Sequence, residues 1–267
     1  MASELTMRIV SAAVLAPLAV GAAYVWGWPF ALFWGAAAVA IGWEWITVTA
    51  AGRPALVGTS AVLVLATVLA ILGQVMNALV VVGCGTVLAF LLGPERRWWA
   101  AAGVLYAGAA LMAPVVLRAD AELGLVAIVF LFGIVWATDI LGYFVGRLVG
   151  GPKLWPAVSP KKTWSGALGG ALGAMIVGLA IARYGYRANP LAVVGLALLL
   201  SAVSQGGDLF ESAVKRRFGV KDASHVIPGH GGVMDRLDGF VAAAAVAAVI
   251  GIARGGLSGS ARGLLIW

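Results

Sequence analysis

Cysteine occurs once in this sequence, as Cys84 inside the apolar run 76–92. That excludes a disulfide framework and any metal cage built from several thiolates. Charge is almost as scarce: Asp, Glu, Lys and Arg make up 11% of the 267 residues, whereas 62% are hydrophobic and the mean hydropathy is +1.01. Soluble domains carry about 25% charged residues, so this chain is too poor in them to hold a folded surface in water. Lipid must solvate it, and no stretch is polar enough over its length to form a separate soluble domain. Acidic residues number only 11, and none follows Asp238.

What is present is apolar sequence almost end to end. Crossing a hydrocarbon core of about 30 Å takes about 20 mostly apolar residues per helix. Nine such spans are expected, at about 9–26, 28–48, 55–73, 75–93, 99–117, 123–147, 164–182, 190–207 and 239–257. The fold class is thus all-α, a polytopic integral membrane protein forming one membrane-embedded domain, with N-terminal helices over about 1–122 and a catalytic part over about 123–258. The first apolar stretch follows Arg8, is long for a signal-peptide core and runs almost directly into the second, so it reads as an uncleaved helix.

A net charge of +7 would suggest nucleic acid as a partner in a soluble protein. Here the basic residues sit in short loops between spans, so topology explains them and no nucleic acid is implied. With nine spans, 13 of the 18 Lys and Arg residues fall on the N-terminal side of the membrane. By the positive-inside rule that side, with the loops 148–163 and 208–238, faces the cytoplasm, and the C-terminus faces out. Trp26 to Trp34, Trp43 to Trp45 and Trp98 to Trp99 lie mostly near span ends, where interfacial belts of aromatic residues are expected. The glycines from Gly166 to Gly178 suit close helix approach.

The polar chemistry is concentrated between Ser204 and Gly239. Five of the 11 acids, Asp208, Glu211, Asp222, Asp235 and Asp238, fall within 31 positions, interleaved with Lys215, Arg216, Arg217, Lys221 and Arg236 and with both histidines, His225 and His230. If the eighth span continues as a helix past Gly207, then Asp208, Glu211, Ser212 and Lys215 share one face. Asp235 and Asp238 are again three apart at the start of the ninth span. Two helix ends can thus offer carboxylates, and Mg²⁺ takes one or two carboxylates together with substrate phosphates and water. Salt bridging to the neighbouring Lys and Arg is the alternative. Between the two helices, Pro228, Gly229, His230, Gly231 and Gly232 form a turn whose backbone N–H groups suit a phosphate at a helix N-terminus.

The other polar loop carries Ser159, Pro160, Lys161, Lys162 and Thr163, with Thr163 placed to cap the seventh span. Its lysines either bind phosphate or orient the protein against anionic lipid heads. Asp139 lies in an apolar run with Tyr143 and Arg147 close behind, and an intramembrane carboxylate is expected to be paired or functional. Glu44, between Trp43 and Trp45, is a weaker candidate and is placed at the interface.

The run Ser212-Ala213-Val214-Lys215-Arg216, then Lys221-Asp222, then Pro228-Gly229-His230-Gly231-Gly232 and Asp235-Arg236-Leu237-Asp238 resembles the signature of bacterial phosphatidate cytidylyltransferases, or CDP-diacylglycerol synthases. Gly207 to Glu211 also fits, and Ser159 to Thr163 is similar to a second family motif in the right order. Ser165 stands where that motif usually has glutamate, and Gly142 where an alanine precedes the tyrosine. The resemblance implies a multi-spanning, commonly dimeric inner-membrane enzyme that joins CTP to phosphatidic acid with Mg²⁺, the number of metal ions being open. It implies Asp208 and Asp235 as metal ligands and Lys215, Arg216, Lys221, Asp222, His230, Arg236 and Asp238 as further catalytic residues. Ser159, Lys161, Lys162, Thr163, Ser212, Gly231 and Gly232 are then expected at the substrates, with membrane lipids around the whole.

Two other classes compete. Asp235 to Gly239 also resembles the opening of the CDP-alcohol phosphotransferase motif, but that motif needs two further aspartates downstream and no acid follows Asp238. An ion-coupled transporter would use Asp139 and Asp208 as a pathway. It leaves the dense Gly, His, Lys and Arg cluster without a purpose.

Overall fold

The structure, a computed structural model, describes residues 2–93, 96–186, 188–227 and 231–267, with side chains from residue 13 onward. Along the chain run α1 (Ala2–Val25), α2 (Gly27–Thr49), α3 (Arg53–Ile71), α4 (Val75–Leu92), α5 (Arg97–Arg118) and α6 (Gly124–Val149). A two-stranded hairpin of β1 (Lys153–Trp155) and β2 (Ser159–Thr163) follows, then α7 (Trp164–Gly185), α8 (Pro190–Arg217), α9 (Met234–Gly255) and the short α10 (Ser260–Leu265). Helices α2 to α9 are eight helices long and apolar enough to cross a membrane. This is the expected all-α polytopic architecture, and its physical reason is that lipid offers no partner to a backbone N–H or C=O, so each span must satisfy its own. The expected span 9–26 falls within α1, whose side chains up to residue 12 lie outside the described residues.

Helix boundaries follow local chemistry. Ala50, left-handed at φ 49°, closes α2, and Pro54 sits in the first turn of α3, where no N–H is needed. Gly150 and Gly151, at φ 66° and 101°, turn the chain from α6 into the hairpin. The hairpin itself was not expected from sequence. Its strands are three and five residues long, too short and too mixed to show a period of two. α9 begins at Met234, five residues before its apolar run, so Asp235 and Asp238 lie inside its first turns.

The chain divides into two compact units. Unit 1 comprises residues 1–115 and 217–237. Its core holds Phe30, Trp34, Ile41, Trp45, Leu63 and Leu111, all essentially without exposed surface. Trp45 stacks on Tyr106 at 5.1 Å between centroids, and its Nε1 donates to the Trp99 carbonyl at 2.9 Å. Trp34 and Trp45 are therefore core residues, not the interfacial ones expected, because each finds partners on its own bundle. Trp26, Trp28, Trp43 and Trp98 remain exposed, as an interfacial belt requires. Arg96 donates to the Thr49 carbonyl, which sets the start of α5 beside the end of α2. Trp99 and Phe218 meet edge to face at 4.9 Å, with Arg217 over Trp99 and Arg96 over Phe218.

Unit 2 comprises residues 116–216 and 238–267. Phe130, Leu131, Ile134 and Leu200 fill its core. α6 and α7 pack closely along Gly166, Gly169, Gly170 and Gly173, backbone against backbone at Gly166 and Gly170 and against the Val145 and Leu141 side chains at Gly169 and Gly173. A Cβ on Gly170 would stand 2.6 Å from the Thr138 carbonyl oxygen, so only glycine permits that approach. The glycine run therefore has the packing role expected of it. Thr138 Oγ1 also donates to Ser201 Oγ at 2.8 Å, tying α6 to α8.

Candidate active site

The polar residues singled out from the sequence fall into two groups, one within each unit. In unit 2, α8 does continue past Gly207 and ends only at Arg217. Its 28 residues give a rod of about 42 Å, longer than the hydrocarbon core, so its last turns project beyond the apolar layer. Asp208, Glu211, Ser212 and Lys215 share one face there. Ser212 Oγ donates to Asp208 Oδ1 at 3.3 Å, and the Lys215 ammonium is 2.9 Å from Glu211 Oε2, both one turn apart. Glu211 and Lys215 are buried, so their pair neutralises two charges that lipid and protein could not otherwise hold.

Lys162, at the end of β2, forms an ion pair with Asp208 Oδ2. This contact joins the loop 148–163 to the α8 face, two segments separated by a whole span in sequence. Asp208 keeps about a third of its side chain exposed (33%), so its carboxylate is reachable from outside the fold. Asp238, near the start of α9, lies within electrostatic reach of Asp208 and Asp139 and next to Glu211. Lys161 and Arg216 are exposed. Thr163 Oγ1 accepts from Gly166 N at 3.1 Å, which makes it the N-cap of α7 as expected. Ser165 Oγ donates to the Gly150 carbonyl and meets Thr163 Oγ1 at 3.0 Å, so this side chain pins both ends of the hairpin.

In unit 1 the segment 217–237 forms a compact loop. Ile227 N donates to the Gly231 carbonyl at 2.9 Å; Pro228, Gly229 and His230 lie outside the described residues. Asp235 Oδ2 accepts from Ala223 N at 2.9 Å and from Gly232 N at 2.7 Å, so it organises the loop that precedes it. Lys221, Asp222, His225 and Arg236 are exposed around this core.

Sequence reasoning underrated one residue of this group. Glu44, on α2, has no exposed surface. Its Oε1 accepts from Ser224 Oγ at 2.6 Å and from Val233 N at 2.9 Å, and its Oε2 accepts from Met234 N at 2.6 Å. Of the turn expected to suit a phosphate, the Gly232 amide is taken by Asp235, and the amides of Val233 and Met234 that follow it go to Glu44. Glycine is needed at 232 for another reason, since a Cβ there would lie 2.6 Å from Glu44 Oε1. Gly231, at φ 88°, would likewise meet Asp235 Oδ2 at 2.8 Å.

Among the described residues, no three His, Cys, Asp or Glu side chains form a ready-made metal cage. Mg²⁺ does not require one, because one or two carboxylates plus substrate phosphates and water complete its shell. Asp208, a third exposed, and Asp238 within its electrostatic reach are oxygen donors of the kind such a shell takes.

Similarity to known proteins extends over nearly the whole chain. The pattern of the cytidylyltransferase family matches residues 6–252. A protein of Brucella abortus biovar 1 (strain 9-941) named phosphatidate cytidylyltransferase is 45% identical over 255 residues, 93% of this chain and 94% of its own. The protein of the same name from Brucella suis biovar 1 (strain 1330) gives the same figures. That of Staphylococcus aureus (strain COL) is 45% identical over 119 residues, 44% of this chain and 46% of its own. With a family match over residues 6–252, which includes both polar groups, the chain belongs to the cytidylyltransferase family.

Proposed function

We propose that the protein is a phosphatidate cytidylyltransferase, which transfers the cytidylyl group of CTP to phosphatidic acid and releases pyrophosphate and CDP-diacylglycerol. The observation that carries the reading is the full-length similarity to relatives of that name, and the Lys162–Asp208 contact supports it by uniting both sequence motifs of unit 2.

The chemistry suits the residues. The phosphate of phosphatidic acid carries about −1.5 to −2 charge near neutral pH and is already a nucleophile, so no strong base is required. Its oxygen bonds to the α-phosphorus of CTP while the bond to the β-phosphate oxygen breaks and pyrophosphate departs. Catalysis then consists of bringing two polyanions together and neutralising the leaving group. By motif order Asp208 and Asp235 would hold Mg²⁺, which would supply positive charge to the phosphates; Asp238 is a further oxygen donor beside Asp208.

Lys161, Lys162, Arg216, Lys221 and Arg236 are the cations offered to phosphate, Lys162 exchanging Asp208 for the incoming substrate. Lys215 stays with Glu211 and holds the α8 face in register. Ser159 and Ser212 border that face, Thr163 holds the hairpin to α7, Asp222, Gly231 and Gly232 shape the loop of unit 1, and His230 is a hydrogen-bond donor to phosphate by its place in the motif. The protein acts as a homodimer in the inner membrane with this chemistry facing the cytoplasm.

The test is purified protein in detergent given phosphatidic acid, Mg²⁺ and labelled CTP. A lipid-extractable cytidine product that needs both substrates is expected; label that stays in the aqueous phase would reject the reading.

A further inference from the structure

Glu44 stands apart from the two sequence motifs, being 180 positions from Ser224 and 190 from Met234. A carboxylate without exposed surface is costly unless its oxygens are satisfied, and here three donors satisfy them. The donors come from both ends of one segment: Ser224 at its beginning, Val233 and Met234 at its close. All three must donate. Val226 N donates to Ser224 Oγ at 3.2 Å, which leaves the hydroxyl proton for Glu44, and the other two are backbone amides. An acceptor-only group is what such a site requires, and a glutamine would present its own N–H₂ to a donor. The negative charge also sits at the N-terminus of α9, where the helix dipole favours it.

We infer that Glu44 is a positioning residue for cytidylyl transfer, a staple from α2 that closes the segment 224–234 and seats the first turn of α9. It touches neither substrate. It fixes Asp235 and the Gly231–Gly232 turn indirectly: with Val233 and Met234 held, the Asp235 carboxylate is aimed back at Ala223 and Gly232. This inference rests on the proposed activity for its kinetic consequence but not for its structural one.

The experiment uses full-length protein in detergent with Cys84→Ser and a spin label on Val226→Cys, an exposed position inside the segment. Glu44→Gln and Ser224→Ala are compared with the parent. Glu44→Gln is expected to lower kcat by about ten- to a hundredfold, the scale of an ångström-level misplacement, with the folded fraction unchanged and label mobility increased. Ser224→Ala should lose about three- to tenfold and raise mobility less, and it decides the question should Glu44→Gln fail to fold. A kcat within twofold of the parent in these variants, unchanged mobility, or a loss of activity that only tracks unfolded protein would each overturn the inference. Absence of transfer in the parent would reject the proposed function instead, while label mobility still decides whether Glu44 holds the segment.

Discussion

Asp208 and Asp235 carry the same charge but have different surroundings, and this separates what their replacement does. Asp208 accepts from Ser212 and pairs with the partly exposed Lys162, so Asp208→Asn loses no buried backbone partner. Turnover is expected to be nearly abolished with the melting temperature within about 2 °C of the parent, since surface pairs contribute at most about 1 kcal/mol. Asp235 holds two loop amides, so Asp235→Asn is expected to abolish turnover and also to cost about 1–3 kcal/mol, seen as a fall of several degrees in melting temperature. Equal melting temperatures for the two variants would contradict these roles. The neighbouring lysines should also differ: Lys162→Gln, removing the partner of Asp208, should lower kcat/KM more than Lys161→Gln, whose side chain is exposed. Unchanged kcat/KM for CTP and phosphatidic acid in both would take the hairpin out of the active site.

Among the elements, α8 and the pair α6–α7 do most to place the chemistry. Thr163→Ala, which removes the cap of α7, should cost about 1 kcal/mol and lower the melting temperature slightly. Gly170→Ala should cost more, because its methyl group meets the Thr138 backbone at 2.6 Å and the two helices must separate. Thermal denaturation in one detergent compares them, and the reverse order would contradict the close-packed account. The spans and the polar face of α8 were legible in the sequence because lipid imposes a length and an apolar composition, and because Asp208, Glu211, Ser212 and Lys215 keep helical spacing. The hairpin was not, its strands being short and mixed. Glu44 was underrated because all three of its partners lie 180 or more positions away, and no local pattern reports them.

For the whole molecule, the distribution of Lys and Arg predicts that the loops 148–163 and 208–238 face the cytoplasm. Within unit 1 the ends of α2 and α5 lie together beside Phe218, as a common membrane face for them requires. Cysteines placed in either loop should resist an impermeant reagent added to intact cells and react after permeabilisation; labelling from outside would overturn the topology. The central claim is that CTP is cleaved between its α- and β-phosphates with the cytidylyl group passed to phosphatidic acid. It is tested most directly by purified protein supplied with phosphatidic acid, Mg²⁺ and either α- or γ-labelled CTP. The account predicts α-label in the lipid phase, γ-label in pyrophosphate in equal amount, and neither with Asp208→Asn. γ-Label entering the lipid, or release of inorganic phosphate without a lipid-bound cytidine, would contradict it.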